Sequence, residues 1–348
     1  MTGPAVPSAL QSAINKLAHH HPLDAEDASE AFGVIMRGEA SAVQIAAMLA
    51  ALRVQGETSE IVAGVVRALR EVMVHLPSRN PNELVDTCGT GGGAVTTFNI
   101  STGAALLAAG AGVRIAKHGN RSFTSRCGSA DVLEALGVRI DAPLEIMTRA
   151  LEDAGIVFMY APMMHPAMRH VGPIRRELGI PTVMNIVGPL ANPAGAQRQV
   201  VGVADAYRVP ILAGALTTLG SIHTMVVHGE PGLDEISPLG PTSVVEIKNK
   251  VAEEWVLDPE AFGLACGDAG DLAGGSPEDN ARIITETLSG GGTEAGRAAL
   301  ILNAAAAIYL GGQVSSYGEG VEVARDALDR GLGIAALDRL RKAYSAAA

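Results

Sequence analysis

The sequence predicts an α/β protein in two parts: a small N-terminal all-helical domain, and a larger α/β domain in which helices flank a central, mostly parallel sheet. Residues 9–76 place apolar side chains at helical spacing, whereas from Leu84 onward short β-rich runs alternate with alanine-rich helical runs. Hydrophobic residues make up 48% of the 348 residues but aromatic residues only 3%, so small aliphatic side chains must do most of the packing. A chain of this length can form two such units.

The N-terminal part is divided into helices by turn residues. Gly38 and the polar stretch 55–59 interrupt the apolar pattern, and the segment 78–82, with prolines just around it, resembles a hinge. We therefore expect a helical domain at residues 1–77 and an α/β domain at residues 78–348. The apolar positions at helical spacing are Ile35, Ile45, Met48, Leu49 and Leu52, followed by Ile61, Val65, Leu69 and Val72.

Seven β-rich runs predict the strands of the second domain. Alanine-rich stretches between them, such as 102–109 and 130–136, predict helices that cover both faces of a parallel sheet. Helices around residues 166–180 are expected to pack on the helical domain. Ligands of such sheets bind at the carboxyl ends of strands, so the loops that follow strands are the candidate sites. The predicted strands are 84–87, 113–116, 157–160, 181–187, 200–204, 224–228 and 243–247.

Composition and charge exclude several classes of protein. The formal net charge is −11 without a basic stripe, which argues against a nucleic-acid partner, although a few local cations could still bind a small anion. The three cysteines, Cys88, Cys127 and Cys266, form neither a disulfide framework nor a zinc motif, which favours a reducing compartment. No signal peptide or membrane-spanning apolar run is recognisable. We therefore expect a cytoplasmic protein without membrane partners.

A glycine-rich loop follows the first predicted strand. Residues 89–93 contain four glycines, and such a run exposes backbone N–H groups that can curl around phosphate oxygens. Residues 96–102 then supply hydroxyls and an amide and open a helix, whose free N–H groups also favour anions. Taken alone, however, the loop is more typical of a tight turn in which Ser101 or Thr102 only caps the helix.

Dinucleotide binding is another alternative for this loop, because Gly89, Gly91 and Ala94 satisfy the pattern G-x-G-x-x-A. That fold requires an acidic residue about 20 positions further on to bind the ribose hydroxyls. The first acidic residue after Ala94 is Asp131, and no Gly-Lys-Ser/Thr follows the glycines as a Walker A loop requires. The sequence therefore disfavours an NAD(P) site and excludes a Walker A site.

A second polar loop, residues 117–125, follows the next predicted strand. It contains two cations, a histidine, an amide and several hydroxyls. Lys117 can act as a point charge for phosphate, while hydroxyl and N–H groups complete the shell. Singly, Arg121 could be solvated, His118 structural and Ser129 a helix cap. Two phosphate-suited loops at successive strand ends nevertheless favour a phosphate site.

An adjacent acidic pair, Asp234 and Glu235, follows the strand predicted at 224–228 and a turn. Mg²⁺ prefers oxygen ligands and is often bound by one or two carboxylates together with waters and substrate phosphates. A solvated pair at a turn is the alternative, and the residues alone leave both open. His228 is a poorer candidate, because Mg²⁺ disfavours imidazole.

Taken together, these motifs resemble those of the anthranilate phosphoribosyltransferase family, among the nucleoside phosphorylase-like phosphoribosyltransferases. The resemblance covers essentially the whole chain. It implies an Mg²⁺-dependent, homodimeric enzyme of tryptophan biosynthesis that transfers the phosphoribosyl group of phosphoribosyl pyrophosphate to the amine of anthranilate. The motifs are DxxGTGG…TxNIST from Asp86 to Thr102, KHGNR…S…GSAD from Lys117 to Asp131, HPAMR…P-[IV]-RRELG from His165 to Gly179, NxxGPLxNPA at 185–194, VVHGxxGLDEIS at 226–237 and GGSPEDNA at 274–281.

The resemblance also implies roles for individual residues. The positions implied for phosphoribosyl pyrophosphate are Gly89, Gly92, Gly93, Thr97, Asn99, Ile100, Ser101, Thr102, Lys117, Asn120, Arg121, Ser125 and Ser129. Those implied for anthranilate and its entry route are Gly89, His118, Asn120, Pro162, His165, Met168 and Arg175. The metal positions are Ser101, Asp234 and Glu235, and the catalytic positions are Lys117, His118 and Arg175.

One residue departs from the family pattern. The family usually reads GTGGD, whereas this chain has Gly93 in place of the aspartate. Glycine has no side chain with which to ligate a metal or to accept a hydrogen bond from a ribose hydroxyl, although its N–H group can still serve the loop. The phosphate role is therefore retained, and the local metal arrangement is left open.

The implied chemistry makes simple demands on the acceptor site. Arg175 can grip a carboxylate with two hydrogen bonds, and Pro162 and Met168 can supply soft walls for a planar ring. The alternative is an exposed arginine and core methionines. As the diphosphate leaves the ribose, N–H groups, Lys117 and Mg²⁺ stabilise its growing charge. The aryl amine is already neutral and nucleophilic, so His118 or a water needs only to take the surplus proton.

Two other functions compete with this interpretation. A pyrimidine nucleoside phosphorylase resembles the family in fold and also breaks a ribosyl C1 bond, but its basic, glycine-rich loop differs from the one here, and the motif at 165–179 matches the transferase better. A non-catalytic phosphosugar-binding relative would require that Gly93 has abolished the chemistry.

Overall fold

The computed structural model describes residues 8–122 and 126–345. It confirms the predicted fold class, because four helices are followed by a seven-stranded, mostly parallel sheet with helices around it. The α-helices are α1 Ala9–Ala18, α2 Ala25–Met36, α3 Ala42–Gln55, α4 Ser59–Val72, α5 Ile100–Gly110, α6 Ser129–Ala135, α7 Leu144–Asp153, α8 Ala161–Met164, α9 Gly172–Leu178, α10 Val209–Thr218, α11 Pro277–Leu288, α12 Glu294–Leu310, α13 Tyr317–Asp329 and α14 Leu332–Ser345. The strands are β1 Val85–Gly89, β2 Ile115–Gly119, β3 Ile156–Tyr160, β4 Arg198–Gly202, β5 His223–Gly229, β6 Thr242–Lys248 and β7 Val251–Leu257.

Polar side chains cap the N-termini of the helices in the N-terminal part. Asp24 and Asp27 form a capping box at the start of α2, and Ser41 forms one with Gln44 at the start of α3. Thr58 accepts a hydrogen bond from the N–H of Ile61 at the start of α4. Further along the chain, α9 lies against α3, and the 3₁₀ turn that precedes α9 lies against α2.

The sheet has the strand order β3-β2-β1-β4-β5-β6-β7. Neighbouring strands from β3 to β5 are parallel, whereas β6 and β7 are antiparallel to their neighbours. The carboxyl ends of the five parallel strands therefore lie along one edge of the sheet. The loops that start after Gly89, Gly119, Gly202 and Gly229 meet at this edge, where ligands of such sheets bind.

Alternate residues of the central strands belong to two different cores. In β4, Val200 packs into the core that contains α5 and α12–α14, and Val201 packs into the core that contains α1–α4 and α10. Met225 and Val226 repeat this division in β5. Successive side chains of a strand point to opposite faces, so the sheet is covered on both sides. The N-terminal helices extend one of the two covers, because α4 packs against α10, which lies on β5 and β6.

Two predictions about strands were wrong. Residues 181–187 form 3₁₀ turns instead of a strand, because the side chain of Asn185 accepts a hydrogen bond from the N–H of Thr182 and closes a turn. Strand β7 was not predicted, because it is an exposed edge strand with charged residues. The other six predicted strands lie within about three residues of strands in the structure.

Among the described residues, we find no helix with the combination of length and apolar character that crossing a bilayer requires.

Candidate active site

The glycine-rich loop connects the end of β1 to the start of α5. Gly91 and Gly92 have φ angles of +68° and +81°, a left-handed conformation that residues with a Cβ atom rarely adopt. Thr90 donates its N–H to the carbonyl of Gly202, the last residue of β4. Ala94 donates its N–H to the carbonyl of Gly232 in the loop after β5. The loop is therefore held against the ends of two neighbouring strands.

The acidic pair contacts both ends of this loop. Asp234 Oδ2 accepts a 2.7 Å hydrogen bond from the N–H of Gly91. Glu235 Oε1 accepts a 3.1 Å hydrogen bond from the N–H of Ser101, in the first turn of α5. The structure thus brings together the three predicted metal residues, although Ser101 and Glu235 are separated by 134 positions in the sequence.

Lys117 lies behind the same loop, in the middle of β2, because the strand continues three residues beyond its predicted end at residue 116. Its side chain is buried, and Nζ donates hydrogen bonds to the carbonyl and the hydroxyl of Thr87 and to the hydroxyl of Ser101. Burial lowers the pKa of Lys117, and the nearby Asp86, Cys88 and Glu235 oppose that change. A cation, a hydroxyl and two carboxylates therefore share one small volume at the sheet edge.

The electrostatics of the acidic pair favour a bound cation. Burial, and then the adjacent Asp234, raise the pKa of Glu235 to about 8, while Lys117 and the N–H of Ser101 oppose the rise. Burial also raises the pKa of Asp234. Asp234 and Glu235 are partly exposed, but two neighbouring carboxylates that are largely withdrawn from water resist joint ionisation unless a positive charge compensates them. Among residues 8–122 and 126–345, no group of three or more His, Cys, Asp and Glu side chains is arranged to hold a metal, so the acidic pair has no third side chain of these types to complete such a group.

A buried polar network fixes the positions of β1 and β2. Asp86 Oδ2 accepts a hydrogen bond from Nδ2 of Asn192, which also donates to the carbonyl of Ala116. Asp86 Oδ1 accepts from the backbone N–H of His118. Burial raises the pKa of Asp86, and the charge of Lys117 opposes this. The network links the strand ends that carry the glycine-rich loop and Lys117.

Two buried histidines form a second cluster. The ring centroids of His118 and His165 are 5.0 Å apart, and their Nε2 atoms have no hydrogen-bond partner among the described residues. Burial, followed by the nearby His165 and Lys117, lowers the pKa of His118 to about 3. Burial lowers the pKa of His165 to about 4. Both rings are therefore neutral near pH 7.

The motif at residues 185–194 connects these groups. Asn185 Oδ1 accepts a hydrogen bond from Arg175 Nη2 at 3.4 Å, and Asn192 binds Asp86. The backbone at Gly188 contacts His118, and the backbone at Ala191 contacts His165. Arg175 is partly buried, and burial lowers its pKa.

The remaining residues predicted for the acceptor differ in exposure. His165 is buried, whereas Met168 and Pro162 are more accessible. Pro162 belongs to α8, which follows β3 directly, so it lies at the same edge of the sheet as the two loops. Within the described part of the chain, the side chain of Arg175 forms no hydrogen bond to the glycine-rich loop.

The second loop is only partly described, and its predicted residue Ser125 lies outside the described residues. The carbonyl of Asn120 accepts hydrogen bonds from the N–H of Ala130 and the hydroxyl of Ser129. Arg121 forms ion pairs with Asp131 at 2.8 Å and with Glu134 at 2.6 Å on α6.

The other residues predicted for the donor lie around the start of α5. Thr97 forms an isolated antiparallel bridge with Ala273, while Ile100 and Thr102 are buried. At Gly93, a Cβ atom would lie 2.9 Å from the carbonyl oxygen of Gly232 and 3.7 Å from Asp234 Oδ1. An aspartate at this position would require the turn after β5 to shift, and would add a third carboxylate near the acidic pair.

Residues that the sequence analysis missed hold the acidic pair in place. Asn303, on α12, accepts a hydrogen bond from the N–H of Ile236 and donates one to its carbonyl. Gly202, the last residue of β4, lies so close to Asp234 that a Cβ atom would be 1.7 Å from the carbonyl oxygen of Asp234. An asparagine within the otherwise apolar helix α12 was a recognisable signal for the first of these, and the sequence carried no such signal for the second.

We expect Gly202→Ala to destabilise the protein by about 1–3 kcal/mol, because the backbone at Asp234 must move to admit a methyl group. Thermal unfolding measures this change. Gly172→Ala is the matched control, since a Cβ atom there meets nothing within 4 Å. Equal melting temperatures for the two variants would contradict the close approach.

Comparison with known proteins shows which family this chain resembles. Residues 81–334 match the family described as "Glycosyl transferase family, a/b domain", and residues 11–73 match "Glycosyl transferase family, helical bundle domain". The anthranilate phosphoribosyltransferase of Rubrobacter xylanophilus is 49% identical over 330 residues, which cover 95% of this chain and 96% of that protein.

Solved structures agree with the sequence comparison. The crystal structure of anthranilate phosphoribosyltransferase from Thermus thermophilus superposes with a TM-score of 0.90 at 42% identity, covering 96% of this chain and 99% of that chain. The Saccharomyces cerevisiae enzyme in complex with PRPP and Mg superposes with a TM-score of 0.86 at 30% identity, covering 98% and 99% of the two chains. The chain therefore belongs to the anthranilate phosphoribosyltransferase family.

Proposed function

We propose that this protein transfers the phosphoribosyl group of phosphoribosyl pyrophosphate to the amine of anthranilate, giving N-(5-phosphoribosyl)anthranilate and pyrophosphate, in tryptophan biosynthesis. The observation that carries the proposal is the convergence of the glycine-rich loop, Lys117 and the acidic pair at one edge of the sheet. Donor groups for a diphosphate and oxygen ligands for its metal are adjacent there, in a chain whose relatives carry the name of this activity.

The donor would be bound by the loops that follow β1 and β2. Exposed N–H groups of residues 89–93 and the start of α5 favour phosphate oxygens, and Lys117 adds a buried positive charge. Asn99, Asn120 and the other donor residues named from the sequence belong to this proposed site.

Asp234, Glu235 and the hydroxyl of Ser101 would hold Mg²⁺. The donor set fits this ion, because Mg²⁺ takes one or two carboxylates and completes its shell with waters and substrate phosphates. When bound, Mg²⁺ supplies positive charge to the diphosphate oxygens. Asp234 and Glu235 would hold that charge, and each already accepts a hydrogen bond from a backbone N–H of the glycine-rich loop or of α5. The other N–H groups of the loop would stabilise the leaving group in the same way.

The acceptor would bind between β2, α8 and the 185–194 motif. Arg175 would grip the carboxylate, while Pro162, His165 and Met168 line the route to it. The bond between ribose C1 and the diphosphate oxygen breaks, and the amine nitrogen forms the new bond to C1 and releases a proton. His118 has a pKa of about 3 and is a weak base, so we assign it to contact with the aromatic acid and the proton to water.

Arg175→Ala should raise the KM for anthranilate by about 10–100-fold, because a charge-assisted, two-pronged hydrogen bond is lost. The KM for phosphoribosyl pyrophosphate should change little. Initial rates with each substrate varied in turn measure both values. Arg176→Ala, at the exposed neighbouring position, is the control and should leave both KM values unchanged. An equal rise for both substrates in Arg175→Ala would exclude the carboxylate grip.

We further propose that the protein is a cytoplasmic homodimer, with the helical domain at residues 1–77 as the dimerisation domain and residues 78–348 as the transferase domain. The apolar helical unit and the membership of the family support this proposal. Sedimentation of the full chain tests the dimer.

The decisive experiment for the function is the loss of anthranilate fluorescence when the protein is mixed with anthranilate and phosphoribosyl pyrophosphate, with and without Mg²⁺. We expect an Mg²⁺-dependent loss. Release of uracil from uridine and phosphate would indicate a pyrimidine nucleoside phosphorylase instead. Binding of phosphoribosyl pyrophosphate without turnover would indicate a non-catalytic relative.

A further inference from the structure

The segment 274–281 matches the family but has no role in the site described so far. The two residues that precede it lie beside the glycine-rich loop: Ala273 forms an antiparallel bridge with Thr97, and the carbonyl of Leu272 accepts a 2.9 Å hydrogen bond from the N–H of Phe98. The segment then turns into α11. Its backbone therefore runs along the stretch that joins the loop to α5.

Asn280, in the first turns of α11, reaches from this segment into the loop. Its side chain is buried, at 2% exposure. Asn280 Oδ1 accepts a 2.7 Å hydrogen bond from the N–H of Gly275, and Nδ2 donates a 2.9 Å hydrogen bond to Oδ1 of Asn99. Because a backbone N–H can only donate, the first bond fixes which end of the amide faces Asn99.

Asn99 is the residue immediately before α5, where an asparagine side chain ordinarily accepts a hydrogen bond from the helix N-terminus. Here it makes no such cap. Its Oδ1 instead accepts from Asn280 and from Cys127 Sγ, and its Nδ2 donates to the carbonyl of Cys127 at 3.2 Å. An amide nitrogen carries two hydrogens, and the second makes no hydrogen bond within residues 8–122 and 126–345.

We propose that Asn280 is a positioning residue for the donor: it holds the side chain of Asn99 away from the start of α5, so that one amide N–H of Asn99 stays available to the diphosphate. This inference rests on the proposed transfer of a phosphoribosyl group. Without Asn280, the oxygen of Asn99 keeps only its weaker contact with the thiol of Cys127 and can rotate toward the N–H groups of α5. It would then compete with the anion for them and place a partial negative charge where phosphate binds.

The test compares Asn280→Ala with the wild-type chain by initial rates and by thermal unfolding. We expect the KM for phosphoribosyl pyrophosphate to rise about 3–10-fold, which corresponds to one hydrogen bond, while the KM for anthranilate stays within about twofold. Because Asn280 acts through Asn99, the double variant Asn99→Ala/Asn280→Ala should bind the donor no more weakly than Asn99→Ala. Should Asn280→Ala not fold, Asn280→Ser, whose hydroxyl is too short to reach Asn99, replaces it.

Ser276→Ala is the matched control, because Ser276 caps α11 through Asp279 and, within residues 8–122 and 126–345, forms no hydrogen bond with Asn99. It should lower the melting temperature and leave both KM values unchanged. Additive losses in the double variant, equal rises in both KM values, or the same KM change in Ser276→Ala would overturn the proposal.

The shift in melting temperature caused by phosphoribosyl pyrophosphate and Mg²⁺ is a separate readout that needs no turnover. It should be smaller in Asn280→Ala than in the wild type, and an unchanged shift would count against the positioning role. A wild-type protein that shows the shift in melting temperature without consuming anthranilate would refute the proposed function. The positioning role of Asn280 would then still be tested by comparing this shift between Asn280→Ala and the wild type.

Discussion

Lys117→Met should lower kcat/KM for phosphoribosyl pyrophosphate by about 10²–10³-fold, the loss seen when one preorganised donor to a developing negative charge is removed. Lys117 is buried beside the hydroxyls of Thr87 and Ser101, so water cannot readily replace its charge. Methionine keeps most of the length of the side chain and avoids a cavity. Steady-state rates at saturating anthranilate and Mg²⁺ measure the change.

Lys248→Met serves as the control for Lys117→Met, because Lys248 is exposed at the end of β6. It should leave donor kinetics unchanged. The melting temperature of Lys117→Met shows whether the fold is intact, since Lys117 also bonds to the carbonyl of Thr87. Unchanged donor kinetics in a folded Lys117→Met would remove this residue from the diphosphate site.

Glu235→Gln should raise the Mg²⁺ concentration needed for half-maximal activity by about tenfold or more, since one of two carboxylate ligands is lost. Glutamine can still accept the hydrogen bond from the N–H of Ser101. The start of α5 therefore stays in place, and the change isolates the charge. Activity measured across an Mg²⁺ titration gives the midpoint, and an unchanged midpoint would exclude Glu235 as a ligand.

The same substitution should stabilise the metal-free protein at pH 8. The pKa of Glu235 is raised from its ordinary value of 4.5 to about 8 by burial and by Asp234, so the folded state holds more protons than the unfolded state between these pH values. The contribution of Glu235 to the free energy of unfolding is therefore fully present below pH 4.5 and is lost as the pH rises toward 8. Glutamine cannot ionise and avoids this loss, which a shift of this size sets at up to about 4 kcal/mol at pH 8.

Thermal unfolding in a chelator at pH 5 and pH 8 tests this second effect of Glu235→Gln. The melting-temperature difference between the variant and the wild type should grow with pH. Glu254→Gln, at an exposed carboxylate on β7, should show no such growth. A difference that is the same at both pH values would mean that Glu235 ionises freely in the fold.

Which segments form the candidate site was readable from the amino-acid sequence. Glycine spacing, the residues after the strand at β2 and the adjacent acids at 234–235 are local patterns, and each reports the conformation or chemistry of a few neighbouring residues. The alternation of strands and helices was enough to place these segments at one edge of a parallel sheet. The run at 181–187 shows the limit of such patterns. A strand was predicted there, but the hydrogen bond from the N–H of Thr182 to Asn185 Oδ1 closes a turn instead.

By itself, then, the sequence determined the fold class, the family and the residue types of the candidate site. Only the tertiary structure decided their partners: Gly91 meets Asp234 across 143 positions, and Ser101 meets Glu235 across 134. The contact of Gly202 with Asp234 and the hydrogen bond of Asn280 to Asn99 also join residues that are far apart in the sequence. The physical reason is that a buried polar atom requires a hydrogen-bond partner. Which partner lies within reach depends on how the whole chain packs, and the residues next to that atom in the sequence do not decide it.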